Sequence, residues 1–341
     1  MAVRAHGPHR HLRHPAPALD EGAALLVYVI RRIALALVTL LLLSLIIFAI
    51  SNVLPQNVGR AILGPFATPE AVAALNHTLG TDQPLVNQYV RLLKGIVTFD
   101  FGTSYQSGQP VREVVTTTLL NSSKLASLAL LLTIPLGLVG GVFAALRKGR
   151  LADRVIVTLG LAGSAIPEFV TSTFLIFLLG LKLNVLPVLA TWPDGASVGT
   201  QVYHLLLPAL SLVLVYFGYI ARMARAGTIT ALESDYTRTA TMKGMSRTAV
   251  LKKHVLRNAL LPTISVIATQ TGYLFGGLLA VELIFNVNGL GRLLVTAAKA
   301  KDLPVLSAGV MVIGVIYMIA TLLADLLISW LNPRIRLGAT S

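Results

Sequence analysis

Long apolar runs separated by short basic connections set the pattern of this chain. Residues 33–54, 125–146, 155–183, 205–220, 260–285 and 305–331 are each dominated by aliphatic side chains. A helix needs about 20 such residues to cross the bilayer core, so the pattern predicts six transmembrane helices, the fourth extending at its inner end toward Arg222 and Arg225. The second run holds Pro135, Gly137, Gly140 and Gly141, which membrane helices tolerate because neighbouring helices support the backbone. The third is slightly long and is interrupted by the run SAIPEF at 164–169; it reads as one broken span. Polar positions concentrate at 55–121 and 184–203 and in the connection between the fourth and fifth runs.

Charge assigns sides to these elements. Arg31 and Arg32 precede the first run, Arg147, Lys148, Arg150 and Arg154 follow the second, and Arg334 and Arg336 follow the sixth. The connection after the fourth run carries Arg222, Arg225, Arg238, Lys243, Arg247, Lys252, Lys253 and Arg257 against Glu233 and Asp235. Excess Lys and Arg marks cytoplasmic loops, so both termini are expected in the cytoplasm and the 55–121 segment outside. Formal charge is +14 although only 12% of residues are charged, and mean hydropathy is strongly positive. That combination excludes a soluble nucleic-acid binder, which would gather its cations into a patch on a folded surface. The chain has no Cys, which removes disulfides, thiolate metal sites and Cys nucleophiles together.

The expected organisation follows. Residues 1–24, rich in His, Arg, Pro and Ala, read as a disordered basic extension, with a misassigned start site as the alternative. His6, His9, His11 and His14 lack any element to fix them as metal ligands, and no metal site is expected. Residues 25–54 form the first transmembrane helix. Residues 55–121 are an extracytoplasmic segment, with a helix starting at Thr68, Pro69 and Glu70 and running through Leu75. Residues 122–334 are a membrane core that includes a cytoplasmic segment at 226–259, and 335–341 are a cytoplasmic tail.

The stretch at 235–262, DYTRTATMKGMSRTAVLKKHVLRNALLP, carries its own start, turn and stop signals. Residues 236–242 lack Gly and Pro and can form two helical turns, and Gly244 falls where a left-handed residue ends a helix. Ser246 can cap a second helix through Arg247, Val250, Leu251, Lys253 and Arg257. Pro262 suits the first turn of the next span. Two short helices joined by a glycine elbow are expected.

The pattern Asp235, Tyr236, Arg238, Thr239, Ala240, Lys243, Gly244, followed by Arg257, Asn258, Ala259, Leu260, Leu261 and Pro262, resembles the cytoplasmic coupling motif of ABC importer permeases. It is most similar to the dipeptide and oligopeptide group. Arg238, Thr239 and Ala240 stand where the general motif has Glu, Ala, Ala, and the distance from Gly244 to Pro262 is longer than usual; both departures resemble the peptide subgroup. Further likeness lies at Leu79, Gly80, Pro84, Leu85, Gln88 and Tyr89, at Asp100 to Ser104 with Phe99 in place of a common Gly, at the SAIPEF run, and at Val281, Glu282, Ile284, Phe285 and the run GLGRLL at 289–294. The resemblance spans nearly everything after Ile30.

That likeness implies an all-α integral membrane protein of about six transmembrane helices, in the type I ABC importer permease fold, with a cytoplasmic coupling helix and an extracytoplasmic loop region. It also implies a second homologous permease subunit, two ABC ATPase subunits that carry ATP and Mg, a substrate-binding protein outside, and a peptide substrate, all in a bacterial inner membrane. Asp235, Tyr236, Arg238, Thr239, Ala240, Lys243 and Gly244 are the expected coupling residues. A carboxylate at the bilayer centre costs roughly 3 kcal/mol on insertion scales, so Glu168, with Gln270, is a candidate pathway residue. Glu282 is expected to form a structural ion pair with Arg292. No phosphate-binding G-x-x-x-x-G-K-[ST] loop, H-E-x-x-H or G-x-S-x-G run is present, so no catalytic residue and no bound cofactor are expected, and ATP hydrolysis is assigned to partners. An ATP-independent transporter or channel, or a permease for nickel or glutathione, is the alternative.

Overall fold

The computed structural model describes residues 21–53, 57–193 and 195–331. The N-terminal histidines and the 335–341 tail lie outside the described residues. The described residues hold five helices long and apolar enough to cross a membrane, six if one bent pair counts as a single span.

The first helix, α1 (Glu21–Val53), begins inside the stretch read as disordered and extends well before the apolar run. It presents Leu37, Leu41 and Ile46 outward and packs mainly on the last helix. Three short helices follow: α2 (Val58–Leu63), α3 (Pro69–Leu79) and α4 (Leu85–Thr98). Thr68 caps α3 by accepting the Ala71 N–H at 3.3 Å. This helix runs to Leu79, four residues beyond the expected Leu75, and Gly80 closes it at φ 65°. Phe99 ends α4 in the left-handed region at φ 55°, a conformation glycine adopts at lower cost.

Helix α5 (Val111–Leu146) starts within the segment read as extracytoplasmic. Its 36 residues span about 54 Å, well beyond the roughly 30 Å of a bilayer core. The expected third span is two arms, α6 (Leu151–Ala165) and α7 (Glu168–Leu175), bent by 108°. Pro167 causes the break: it disfavours helix at the preceding residue, and Ile166 is extended at ψ 128°. Beyond α7 the chain continues as a π-helical stretch, Ile176–Lys182. Helix α8 (Val198–Leu232) outruns the predicted 205–220 at both ends, capped at its start by Ser197, which accepts the Thr200 N–H at 3.2 Å. The basic connection after α8 contains α9 (Asp235–Met242), α10 (Arg247–Val250), a π-helical stretch (Leu251–Val255) and α11 (Leu256–Ala259). Then come α12 (Leu261–Phe285), α13 (Leu290–Ala300) and α14 (Leu303–Leu331).

Helix α8 is the central post, contacting α5, α6, α7, α11 and α12. Small residues let it approach: a Cβ on Gly141 of α5 would meet Ala224 Cβ at 2.7 Å, and Gly160 of α6 lies against Gly218, where an added Cβ would meet the Gly218 Cα at 3.0 Å. Without a hydrophobic force between helices in lipid, close backbone approach of this kind holds them together. The main core lies among α5, α7, α8 and α12, with Leu125, Leu207, Leu212, Leu274 and Phe285 buried. A second cluster joins Val111 and Val115 to α13 and α14.

Carboxylates secure the ends of this bundle. Asp325, inside the last apolar run, is paired with the Arg32 Nε at 2.6 Å, linking α1 to α14. Asp302, buried at the start of α14, accepts the Ser104 hydroxyl and the Gln106 N–H, pinning the loop before α5. Burial, with Asp302 adding to it, pushes the neighbouring Tyr105 phenol above its ordinary value, partly offset by Arg91.

Candidate functional site

The connection between α8 and α12 is a platform with its own small core. Helix α9 turns off the end of α8 at Ser234, whose hydroxyl donates to the Ala231 carbonyl at 2.6 Å. The Thr237 hydroxyl donates to the same carbonyl at 2.7 Å, so the base of α9 is bonded back onto α8. Gly244 then stands at φ 78° and the Met245 N–H reaches the Ala240 carbonyl at 3.3 Å, closing the elbow expected from the sequence. Ser246 caps α10 by accepting the Ala249 N–H at 3.4 Å. The expected continuous second helix is instead α10, π-helical turns and α11, which places Val250, Val255 and Ala259 against Ala231 and Ala240.

This packing sorts the expected coupling residues into two sets. Asp235, Tyr236, Arg238, Thr239, Lys243 and Gly244 are exposed, whereas Ala240 is 5% exposed and faces the platform's own core. Its smallness therefore serves the internal contact as well as any external one. Met242, at the end of the same helix, is 72% exposed, and Tyr236 41%. Sequence reasoning missed Met242; its signal was an apolar side chain on a short, otherwise polar helix.

A second polar locus lies at the break between α6 and α7. Glu168 occupies the first turn of α7, where a carboxylate is favoured by the helix dipole. The Tyr216 hydroxyl of α8 lies 3.3 Å from the Glu168 Oε1 and 3.2 Å from the Tyr273 carbonyl of α12, and its single proton is shared between them. Gly277 of α12 presents bare backbone here: a Cβ would come within 2.9 Å of the Glu168 Oε1. The break is thus bonded to the post and to α12. Gln270 is buried on α12, two turns before Gly277, and no hydrogen bond joins it to Glu168 among the described residues. Tyr216 went unread as a partner because only the fold brings α8 to the break.

Glu282 departs from expectation. It is fully buried, accepting the Ser122 hydroxyl at 2.5 Å and the Arg292 backbone N–H at 3.1 Å. The Arg292 guanidinium turns to the Asn286 carbonyl at 3.5 Å, and no Glu282–Arg292 salt bridge occurs among the described residues. The carboxylate meets the N-terminus of α13 and ties it to α5 through Ser122, which also accepts the Leu290 N–H at 2.7 Å. Backbone donors supply what a guanidinium was expected to supply.

A bundle of long apolar helices with a broken span and a self-supported basic platform at one end is the architecture of an integral membrane protein. The chain belongs to the family of binding-protein-dependent transport system inner membrane components, which matches residues 137–337. The N-terminal part of such components matches residues 25–126. It is 34% identical over 310 residues to the probable peptide ABC transporter permease protein y4tP of Sinorhizobium fredii, covering 91% of this chain and 99% of that one. It is 33% identical over 310 residues to the glutathione transport system permease protein GsiC of Escherichia coli, covering 91% and 98%. A solved amino acid ABC transporter aligns over 65% of this chain and 94% of its own with 17% identity and a TM-score of 0.45. The protein is therefore a multi-pass inner-membrane permease of the ABC importer class, and the ATP-independent alternative gives way.

Proposed function

We propose that this chain is one of two related permease subunits that form the pathway of an ATP-driven importer for dipeptides or oligopeptides. Two ATPase subunits, carrying ATP and Mg, sit beneath it, and a substrate-binding protein delivers cargo from outside. Both termini are cytoplasmic in this reading. The observation that carries it is the exposed face of α9: Tyr236, Arg238, Thr239, Met242 and Lys243 project from a helix that is internally cored and hydrogen-bonded to α8. A helix held this way can pass a displacement to the post, whereas a slack loop would absorb it. Post movement then reaches the α6–α7 break through the Tyr216 contacts with Glu168 and Tyr273. ATP binding must favour one arrangement of these contacts over the other, since only differential contacts shift a conformational equilibrium.

Peptide is the preferred cargo because the y4tP relative is named for peptide transport. Glutathione, a tripeptide, is the second reading, favoured by the GsiC relatives. The test is to reconstitute the assembled complex with its cognate binding protein and measure ATPase stimulation by dipeptides, oligopeptides, glutathione and nickel. Stimulation by short peptides is expected. Uptake that persists in ATP-free liposomes would overturn the reading. Replacing Tyr236 and Met242 together with Ala removes the exposed apolar pair; ATPase retention on purification should fall at least about tenfold, given that truncated hot-spot side chains cost about 2 kcal/mol or more.

A further inference from the structure

Antiparallel packing of α6 on α8 leaves a narrow groove with unequal ends. On α6 it runs along Val157, Gly160, Leu161 and Ser164, and on α8 along Gly218 and Ala221. The walls are small or aliphatic, and Leu161 is 57% exposed. The groove is open along one side and its volume is about 100 Å³. The other end, toward the start of α6 and the end of α8, is basic. Arg222 and Arg225 line it, and Arg154 lies on the same α6 stripe as Val157 and Leu161, at helical spacings of three and seven.

The charges here are not balanced. Asp153 is buried and fully engaged: its Oδ1 accepts the Arg225 Nε at 2.5 Å, and its Oδ2 accepts the Arg225 Nη2 at 2.7 Å and the Gly149 N–H at 2.8 Å. That pair neutralises Arg225. Lys148 is satisfied by Glu233 at 2.8 Å. Arg154, which senses Asp153 only at longer range, and Arg222, whose guanidinium lies 5.9 Å from the Tyr219 ring centroid, form no salt bridge among the described residues. Both are exposed. Two surplus guanidiniums thus stand at the mouth of an apolar groove, and α6 also exposes Val155 and Leu159, 45% and 65% accessible.

We propose that this groove binds an anionic phospholipid of the cytoplasmic leaflet. Its phosphate is held by Arg154 and Arg222, and one acyl chain lies along Val157 and Leu161 past the Gly160–Gly218 crossing. Guanidinium matches phosphate by paired N–H donors, and basic pockets between membrane helices on the cytoplasmic side suit such headgroups. A lipid seated here would brace α6 against α8 next to Asp153, which joins the two helices. The inference rests on the cytoplasmic placement of the 147–154 turn.

The test uses the assembled permease complex in phosphatidylcholine nanodiscs titrated with phosphatidylglycerol, with bound lipid counted by native mass spectrometry. The Arg154→Gln/Arg222→Gln variant should lose about thirtyfold in apparent affinity for the retained phosphatidylglycerol, at about 1 kcal/mol per cation. The Arg154→Lys/Arg222→Lys variant should lose less, and Lys94→Gln/Arg112→Gln, which removes the same charge at the extracytoplasmic segment, should lose nothing. Equal loss in that control pair would overturn the proposal, because bulk charge would then explain retention. So would cross-linking that puts another subunit over Leu161 in the assembled complex. Placement is checked separately: the chain has no Cys, so Arg150→Cys gives a single labelling site. Labelling only from outside would overturn the topology itself, an outcome distinct from failure of the groove.

Discussion

Gly244 stands at φ 78° with open space where a Cβ would be, so any cost of substitution there is conformational and not steric. Gly244→Val should strain the elbow by about 1–3 kcal/mol and uncouple substrate-stimulated ATPase activity while leaving binding-protein affinity intact. Gly244→Asn, which tolerates the left-handed region, should restore most of the coupling. Normal stimulated ATPase activity in the Val variant would remove the elbow from the mechanism. Ala240 differs in kind. Because it is buried in the platform core, Ala240→Leu should destabilise the platform by about 1–3 kcal/mol through overpacking, visible as accelerated proteolysis at 235–259 before any partner is added. Phe99 shows the opposite sign: it is 58% exposed and left-handed at φ 55°, so Phe99→Gly should raise thermal stability by up to about 1 kcal/mol.

Helix breaks and ties matter most among the elements. Pro167 sets the 108° bend between α6 and α7, and the Tyr216 hydroxyl joins that bend to α8 and α12. Tyr216→Phe keeps the ring packing and removes both polar contacts. It should lower transport per ATP hydrolysed severalfold, a coupling cost of about 1 kcal/mol, without altering assembly; an unchanged transport-to-ATP ratio would show that the break moves independently. Between α1 and α14, Asp325 in an apolar helix is matched by Arg32. Arg32→Ala leaves that carboxylate unpaired near the membrane, and disulfide trapping between engineered α1 and α14 cysteines should become slower and less specific.

Across the whole molecule, pins at the end of the bundle opposite the basic platform hold together segments far apart in sequence. Asp302 fixes the Ser104 loop and Glu282 fixes α13 to α5. Asp302→Ala should orphan the Ser104 and Gln106 donors at about 1–3 kcal/mol, detectable as faster hydrogen exchange across 99–110. The sequence by itself determined the number of apolar runs, the basic connections and the glycine elbow. Each depends on local terms: hydropathy over about 20 residues, charge relative to a span, and one left-handed residue after a short helix. It did not determine where helices end, because α5 and α8 continue past the apolar run wherever neighbours or caps satisfy their backbone. Nor did it determine partners. Glu168 meets Tyr216, Glu282 meets Ser122 and backbone N–H groups, Asp153 meets Arg225, and Ala240 faces inward. Those pairings are set by which helices cross at their small residues, a property of the assembled bundle that no single stretch contains.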